Sequence, residues 1–196
     1  MNNPLEQYPT FILKEHVGFL KINNTYDLID PETGNIFAKA EEENSTLFKI
    51  LSLVNPGIFP TSLIVRDSAT QTPFMTMKKG FSFLRSRLDI YNADQLYIGY
   101  LQSKMLTIGG AFRIFDNHDN EVAEVKGDWK GFNFTVRLSD GQEVGKIAKQ
   151  WGGIGKELLT TADTYVISIN EELQQFKTLL LAGCLAIDTV FKEESK

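Results

Sequence analysis

One stretch near the C-terminus, Leu173 to Phe191 (LQQFKTLLLAGCLAIDTVF), constrains the fold more than any other. At about 100° per residue, Leu179, Leu180, Leu181 and Ala182 point in four different directions, so a helix built from it has no polar face through its middle. It must be enclosed. Large side chains (Leu173, Phe176, Leu180, Ile187, Phe191) gather on one side and small ones (Thr178, Ala182, Ala186, Thr189) on the other, which lets one flank approach surrounding backbone closely. A bilayer and a protein core both satisfy such a helix, and length decides between them. The uninterrupted apolar run, Leu179 to Ile187, is nine residues long, against roughly 20 needed to cross a hydrocarbon core. The sequence therefore predicts a buried central helix over 170–191 that the rest of the chain wraps.

The wrapping is read from a repeated unit: an alternating strand, a short polar turn rich in Asp, Asn and Gly, and a second strand. Its copies lie at 26–40, 62–77, 87–102, 111–127 and 134–150, and five hairpins give ten strands. An opening strand in HVGFLKIN (16–23) and a closing one in TYVISI (164–169) bring the count to twelve, all antiparallel because the connections are short. So wide a sheet left open would expose its edges and overtwist, and closure into a barrel removes both problems. Strand side chains alone do not fill that lumen, and a helix about 28 Å long does. Asn170 is placed to cap it, with Glu171 and Glu172 at the positive end of its dipole.

These readings divide a single domain, 1–196, into an N-terminal arm (1–13), barrel strands (14–169) and the central helix (170–191). Two connections are longer than hairpin turns. Residues 41–61 carry Leu47, Phe48, Leu51 and Val54 at helical spacing, so a short surface helix ended by Pro56-Gly57 is expected there. Residues 77–87 are the other.

A net charge of -5 argues against a general nucleic-acid binder, so an anionic partner has to be met by a local patch. The single cysteine, Cys184, lies inside the apolar helix, which excludes an intramolecular disulfide and points to a reducing, cytoplasmic compartment. The opening MNNPLEQYPTFIL has neither the basic n-region nor the long apolar h-region of a secretory signal.

VGKIAKQWGGIGKELLTTADTYVIS followed by LLLAGCLAIDTVF resembles the C-terminal half of the phospholipid scramblases. The matching positions are Val144, Gly145, Lys146, Ile147, Lys149 and Trp151, then Ala162, Asp163 and Tyr165, then Gly183, Cys184, Ile187 and Asp188. Earlier in the chain Asn23, Asn24, Tyr26 and Asp27 are collinear with the entry into that family's barrel. The resemblance implies a tubby-like fold, a closed twelve-stranded barrel around a central helix, shared with the plant LURP-one-related proteins. It also implies action on phospholipid without bond chemistry, at the inner face of a membrane. Thr161 stands where calcium-responsive members carry an acid. Asp163 is then the one carboxylate candidate for a metal within 161–170, too few for a six-to-eight-coordinate ion, and no cofactor is expected. MKKGFSFLRSR (77–87) lacks the cysteines of the animal scramblases, so no acyl anchor is expected there.

Four groups of residues are candidates for chemistry. Lys78, Lys79, Phe81, Phe83, Arg85 and Arg87 form the sharpest basic-aromatic cluster; in an extended chain the odd-numbered members share a face suited to an anionic membrane interface. The plainer reading is a connection whose phenylalanines cover the barrel end and whose charges are solvated. Lys146, Lys149 and Lys156 beside Trp151 and three glycines suggest phosphate, but GGIGK lacks the spacing and strand-helix context of a P-loop and reads as a wide turn. DNHDNE (116–121) concentrates oxygen ligands, yet Asp and Asn are ordinary turn residues. Asp188, a carboxylate in an apolar helix, calls for a basic partner. With His16 and His118 the only histidines and Cys184 expected to be buried, no nucleophilic machinery is visible, and the chain is read as a non-enzyme. The leading expectation is a scramblase-like protein that binds or moves membrane phospholipid. The competing one is a soluble tubby-like module for a protein partner or a small apolar ligand.

Overall fold

A computed structural model describes residues 3–16, 25–43, 60–80, 87–103, 111–128, 132–149 and 164–194. Twelve strands are present: β1 (Thr10–His16), β2 (Thr25–Ile29), β3 (Ile36–Glu42), β4 (Thr61–Asp67), β5 (Pro73–Lys79), β6 (Arg87–Asn92), β7 (Tyr97–Ser103), β8 (Ala111–Asp116), β9 (Glu121–Asp128), β10 (Asn133–Leu138), β11 (Glu143–Ala148) and β12 (Thr164–Ile169). Each pairs with its chain neighbours, and β1 also pairs antiparallel with β12 from Thr10↔Ser168 to Lys14↔Thr164, which closes the barrel. Among the described residues there is one α-helix, α1 (Lys177–Glu194), of 18 residues and about 27 Å long.

The five expected hairpins are the pairs β2–β3, β4–β5, β6–β7, β8–β9 and β10–β11, and a shared turn chemistry explains them. In each, a residue with positive φ (Gly34, Gln71, Gln95, Asp119 or Gly141) sends its N–H back to a carbonyl at the last residue of the preceding strand or, for Gly34, at Asp30 just beyond it. A register shift follows in every hairpin, the mark of a turn that ends in a bulge. Side-chain oxygens of Asp30, Asp67, Asn92, Asp116 and Asp140 accept backbone N–H groups inside these turns at 2.7–3.0 Å. DNHDNE is thus a turn: the Asp116 carboxylate is occupied by the His118 and Asn120 amides.

The helix fills the barrel as its wheel requires. Leu180, Leu181, Ala182, Cys184, Leu185 and Ala186 have no solvent exposure. Close approach to the wall needs Gly145 on β11, where a Cβ would lie 2.3 Å from the Ser168 carbonyl and 3.0 Å from Leu180 Cδ2.

Three expectations are corrected. The arm does not extend to residue 13, because Thr10 already begins β1, and the opening strand is 10–16 rather than 16–23, of which 17–23 lie outside the described residues. Phe11, Ile12 and Leu13 are all buried although successive side chains face opposite sides, so this strand reads as a continuous apolar run without alternation. Nor does the α-helix start at 170. Asn170 Oδ1 accepts Glu172 N at 3.1 Å, but this caps a 3-10 segment, Glu171–Phe176, broken at Leu173 (φ -119, ψ 31). The first α-helical residue is Lys177, so a cation occupies the positive end of the dipole where Glu171 and Glu172 were expected. The helix expected within 41–61 falls on residues 44–59, outside the described residues.

Candidate functional site

The register places one row of side chains across the outer wall: Lys78 opposite Asp89, Asp89 opposite Tyr100, and Tyr100 opposite Phe115. Tyr91 and Tyr97 form the next row toward the hairpin turns. Tyr100 and Phe115 stack with centroids 4.6 Å apart, and Tyr91 and Tyr97 meet edge to face at 5.7 Å. The stack depends on Gly99 (φ +148), where a Cβ would lie 2.1 Å from the Phe115 carbonyl oxygen. Beside this wall the turn residue Leu96 is 62% exposed.

Cations lie over the rings. Arg87 stretches along the wall: its guanidinium is 3.7 Å from the Tyr100 centroid, Nε donates to Asp89 at 2.8 Å and NH2 donates to the Tyr97 hydroxyl at 2.9 Å. Lys78 Nζ is 4.6 Å from the Tyr91 centroid. Burial pushes the Tyr97 and Tyr100 phenols up, and the Asp119 charge adds to this at Tyr100, so both rings stay neutral at physiological pH. Burial acts to lower the Arg87 pKa, but the Asp89 hydrogen bond and charge outweigh it and leave it raised. The wall is an aromatic plane with fixed positive charge, partly balanced by Asp89.

The described members of the basic-aromatic cluster do not share one face. Lys78 and Arg87 point outward, whereas Lys79 lies on the inward side of β5 with Met75 and Met77 and is 3% exposed. Of the odd-numbered members only Lys79 and Arg87 are described, on β5, which ends at Lys79, and on β6, which begins at Arg87, and these two face opposite ways. Phe81, Phe83 and Arg85 lie outside the described residues, as do Asp163, Trp151 and Lys156. Lys146 and Lys149 also part company. Lys146 pairs with Glu143 at 3.2 Å, and Lys149 Nζ lies 3.8 Å from the Phe132 centroid and 5.3 Å from that of Tyr165. The side chain of Asp188 is likewise outside what is described.

Sequence reasoning missed the tyrosines. The signal was present in the period of two: Arg87, Asp89 and Tyr91 alternate with Leu88 and Ile90. It also missed the contacts of two buried charged groups. Asp27, 5% exposed on β2, meets His16 Nε2 at 2.5 Å and Lys39 Nζ at 3.8 Å. Lys177, 1% exposed, donates to the backbone carbonyls of Leu5 (2.8 Å) and Glu6 (3.0 Å) in the N-terminal 3-10 turn Pro4–Gln7.

Set against known proteins, this geometry meets a family-level match. The family model named Scramblase matches residues 15–194. The protein belongs to the scramblase family. Phospholipid scramblase 2 of Bos taurus is 38% identical over 203 residues, covering 94% of this chain and 66% of that protein, so this scramblase-family chain corresponds to somewhat under two thirds of its relative. An X-ray structure of an Arabidopsis thaliana protein shares the fold, with a TM-score of 0.52 at 14% identity over 95% of this chain and 96% of that one. The closed barrel around a C-terminal helix is the tubby-like architecture that the resemblance implied. Among the described residues, no helix of this family member is long and apolar enough to cross a membrane.

Proposed function

We propose that this scramblase-family chain binds the phospholipid surface of a membrane, at the cytoplasmic face where anionic lipid is concentrated, and acts on lipid without making or breaking covalent bonds. The observation that carries the reading is the outer wall of β5–β8. Tyrosine rings with a polar tip suit the headgroup layer, and Lys78 and Arg87 lie among them with Leu96 beside. Phe81, Phe83 and Arg85, which join β5 to β6 in sequence, extend this surface in the proposal. Lys79, on the inward side, takes no direct part. The sheathed helix supports surface binding over a transmembrane path, since a span needs lipid-facing apolar length.

With a net charge of -5 the chain as a whole is repelled by anionic lipid, so the local cations have to reverse the sign. Each contributes about 1 kcal/mol near such a surface, an effect that fades within a Debye length. The test is co-sedimentation with phosphatidylcholine vesicles with and without phosphatidylserine, at low and high salt. The expected result is salt-sensitive binding to the anionic vesicles that is lost when Lys78, Arg85 and Arg87 are changed together to Gln. Equal binding by this variant and the unaltered chain contradicts the site, and no binding by either favours the soluble binding module.

A further inference from the structure

Residues 3–9 lie across the barrel end at which α1 begins. Asn3 caps the 3-10 turn through Oδ1, which accepts Leu5 N at 3.1 Å, and its Nδ2 donates to Thr178 Oγ1 at 3.1 Å. Leu5 has no solvent exposure and belongs to the core, and Tyr8 stacks on Phe37 at 3.9 Å. Pro9, whose carbonyl accepts Ile169 N at 2.9 Å, joins this strap to β1.

Beneath the strap sits a cation in an unfavourable place. Lys177 is buried, at the positive end of the helix dipole, and among the described residues no carboxylate lies within ion-pair distance of it. Its hydrogen bonds go to two neutral carbonyls, both on the strap. Burial lowers its pKa, and the Glu6 charge only partly opposes this. Such an ammonium is matched less well than it would be by an anion, because a charge-assisted hydrogen bond to phosphate or carboxylate is roughly twice as strong as a neutral one.

We propose that residues 3–9 are a displaceable strap and Lys177 its latch: the anionic headgroup of a membrane lipid competes with the Leu5 and Glu6 carbonyls for the Lys177 ammonium, and the strap then leaves the barrel end. Its departure uncovers Leu5's site in the core and the Phe37 ring on which Tyr8 stacks, and frees the Lys177 ammonium from its two carbonyls, so that apolar surface and a cation become available together to a lipid headgroup layer. The ligand shifts the equilibrium because the docked state denies it Lys177 and the open state offers it. This inference rests on the proposed lipid binding and names its regulation.

The test is hydrogen–deuterium exchange of the full chain, read at the Glu6 and Tyr8 amides, which the docked turn bonds to Asn3 and Leu5 carbonyls. Co-sedimentation is measured on the same samples. With phosphatidylcholine–phosphatidylserine vesicles these amides are expected to exchange about tenfold faster than in buffer, while those of β6–β8 do not change. Inorganic phosphate alone is expected to leave them unchanged. In Lys177→Met, which retains length and apolar packing, vesicle binding persists and the acceleration disappears. Leu5→Asn, which weakens the strap without touching the latch, shows fast exchange even in buffer, with the β6–β8 amides still protected. Vesicle-bound protein with unaltered strap exchange overturns the latch and leaves lipid binding standing. Acceleration by phosphate alone, or an identical response in Lys177→Met, overturns the headgroup competition at Lys177. Absence of vesicle binding overturns both proposals.

Discussion

The two ends of the barrel are built on different rules. At one end the five hairpin connections have four to six residues each, and the strap and the start of α1 close it. At the other end the connections range from four residues, 129–132, to 18 residues, 43–60. Local chemistry governs the first end: an Asx acceptor, a positive-φ residue and a bulge recur in every turn. No such local code is repeated in the sequence of the second set. The helix runs from the first end toward the second and ties both to one core.

That tie is the point at which the comparison breaks most severely. Leu181→Asp places a carboxylate in the middle of the sheathed helix, at a cost of several kcal/mol against a total stability of about 5 to 15 kcal/mol. Both ends are expected to be lost together, with no cooperative thermal transition by circular dichroism. A soluble variant with a sharp melt contradicts the shared core.

Acid sharpens the contrast. Asp30 lies below its ordinary value of 3.8 chiefly through the Thr33 hydroxyl, Asp67 chiefly through the Thr70 amide, and Asp116 chiefly through the Asn120 side chain. Because the folded pKa values are depressed, the unfolded chain binds more protons on acidification. These contributions are fully present above 3.8 and are lost as pH falls through the lower folded values. Exchange measured through that window is expected to show the turn amides of Glu32, Thr70 and His118 losing protection as the carboxylates protonate. Unchanged protection there argues that the carboxylates do not hold the turns.

The smallest effect concerns the turns where a non-glycine residue holds positive φ. Gln71 (φ 59) and Gln95 (φ 59) occupy the position that Gly34 and Gly141 occupy in their own hairpins. Gln71→Gly and Gln95→Gly are each expected to stabilise by up to about 1 kcal/mol in urea melts, because glycine adopts this conformation without a Cβ penalty. Destabilisation in both means that their side-chain contacts, such as Gln95 Nε2 to Thr76 Oγ1 at 3.1 Å, outweigh the backbone term.

The same contrast explains what was legible in the sequence. Five hairpins and the closing strand could be read because alternation and turn chemistry are local, and the central helix because its apolar wheel admits no exposed face. Strand β1 was displaced because Phe11, Ile12 and Leu13 are buried on both faces and carry no alternation. The Lys177 latch was illegible: its acceptors are backbone carbonyls some 170 positions away, and a carbonyl has no letter. The aromatic wall was half legible. The period of two places Arg87, Asp89 and Tyr91 on one face, but the Tyr100–Phe115 stack comes from the β7–β8 register.

The central claim is that the apolar helix stays sheathed while lipid is met outside it, and Cys184 reports on this directly. The thiol has no solvent exposure and lies between Gly183 and Leu185 in the middle of the barrel. Labelling of the native chain with a water-soluble thiol reagent, with and without anionic vesicles, is expected to proceed only at the rate of global unfolding and to accelerate sharply in denaturant. Labelling at the rate of a free thiol, in buffer or on vesicles, would contradict the sheathed helix.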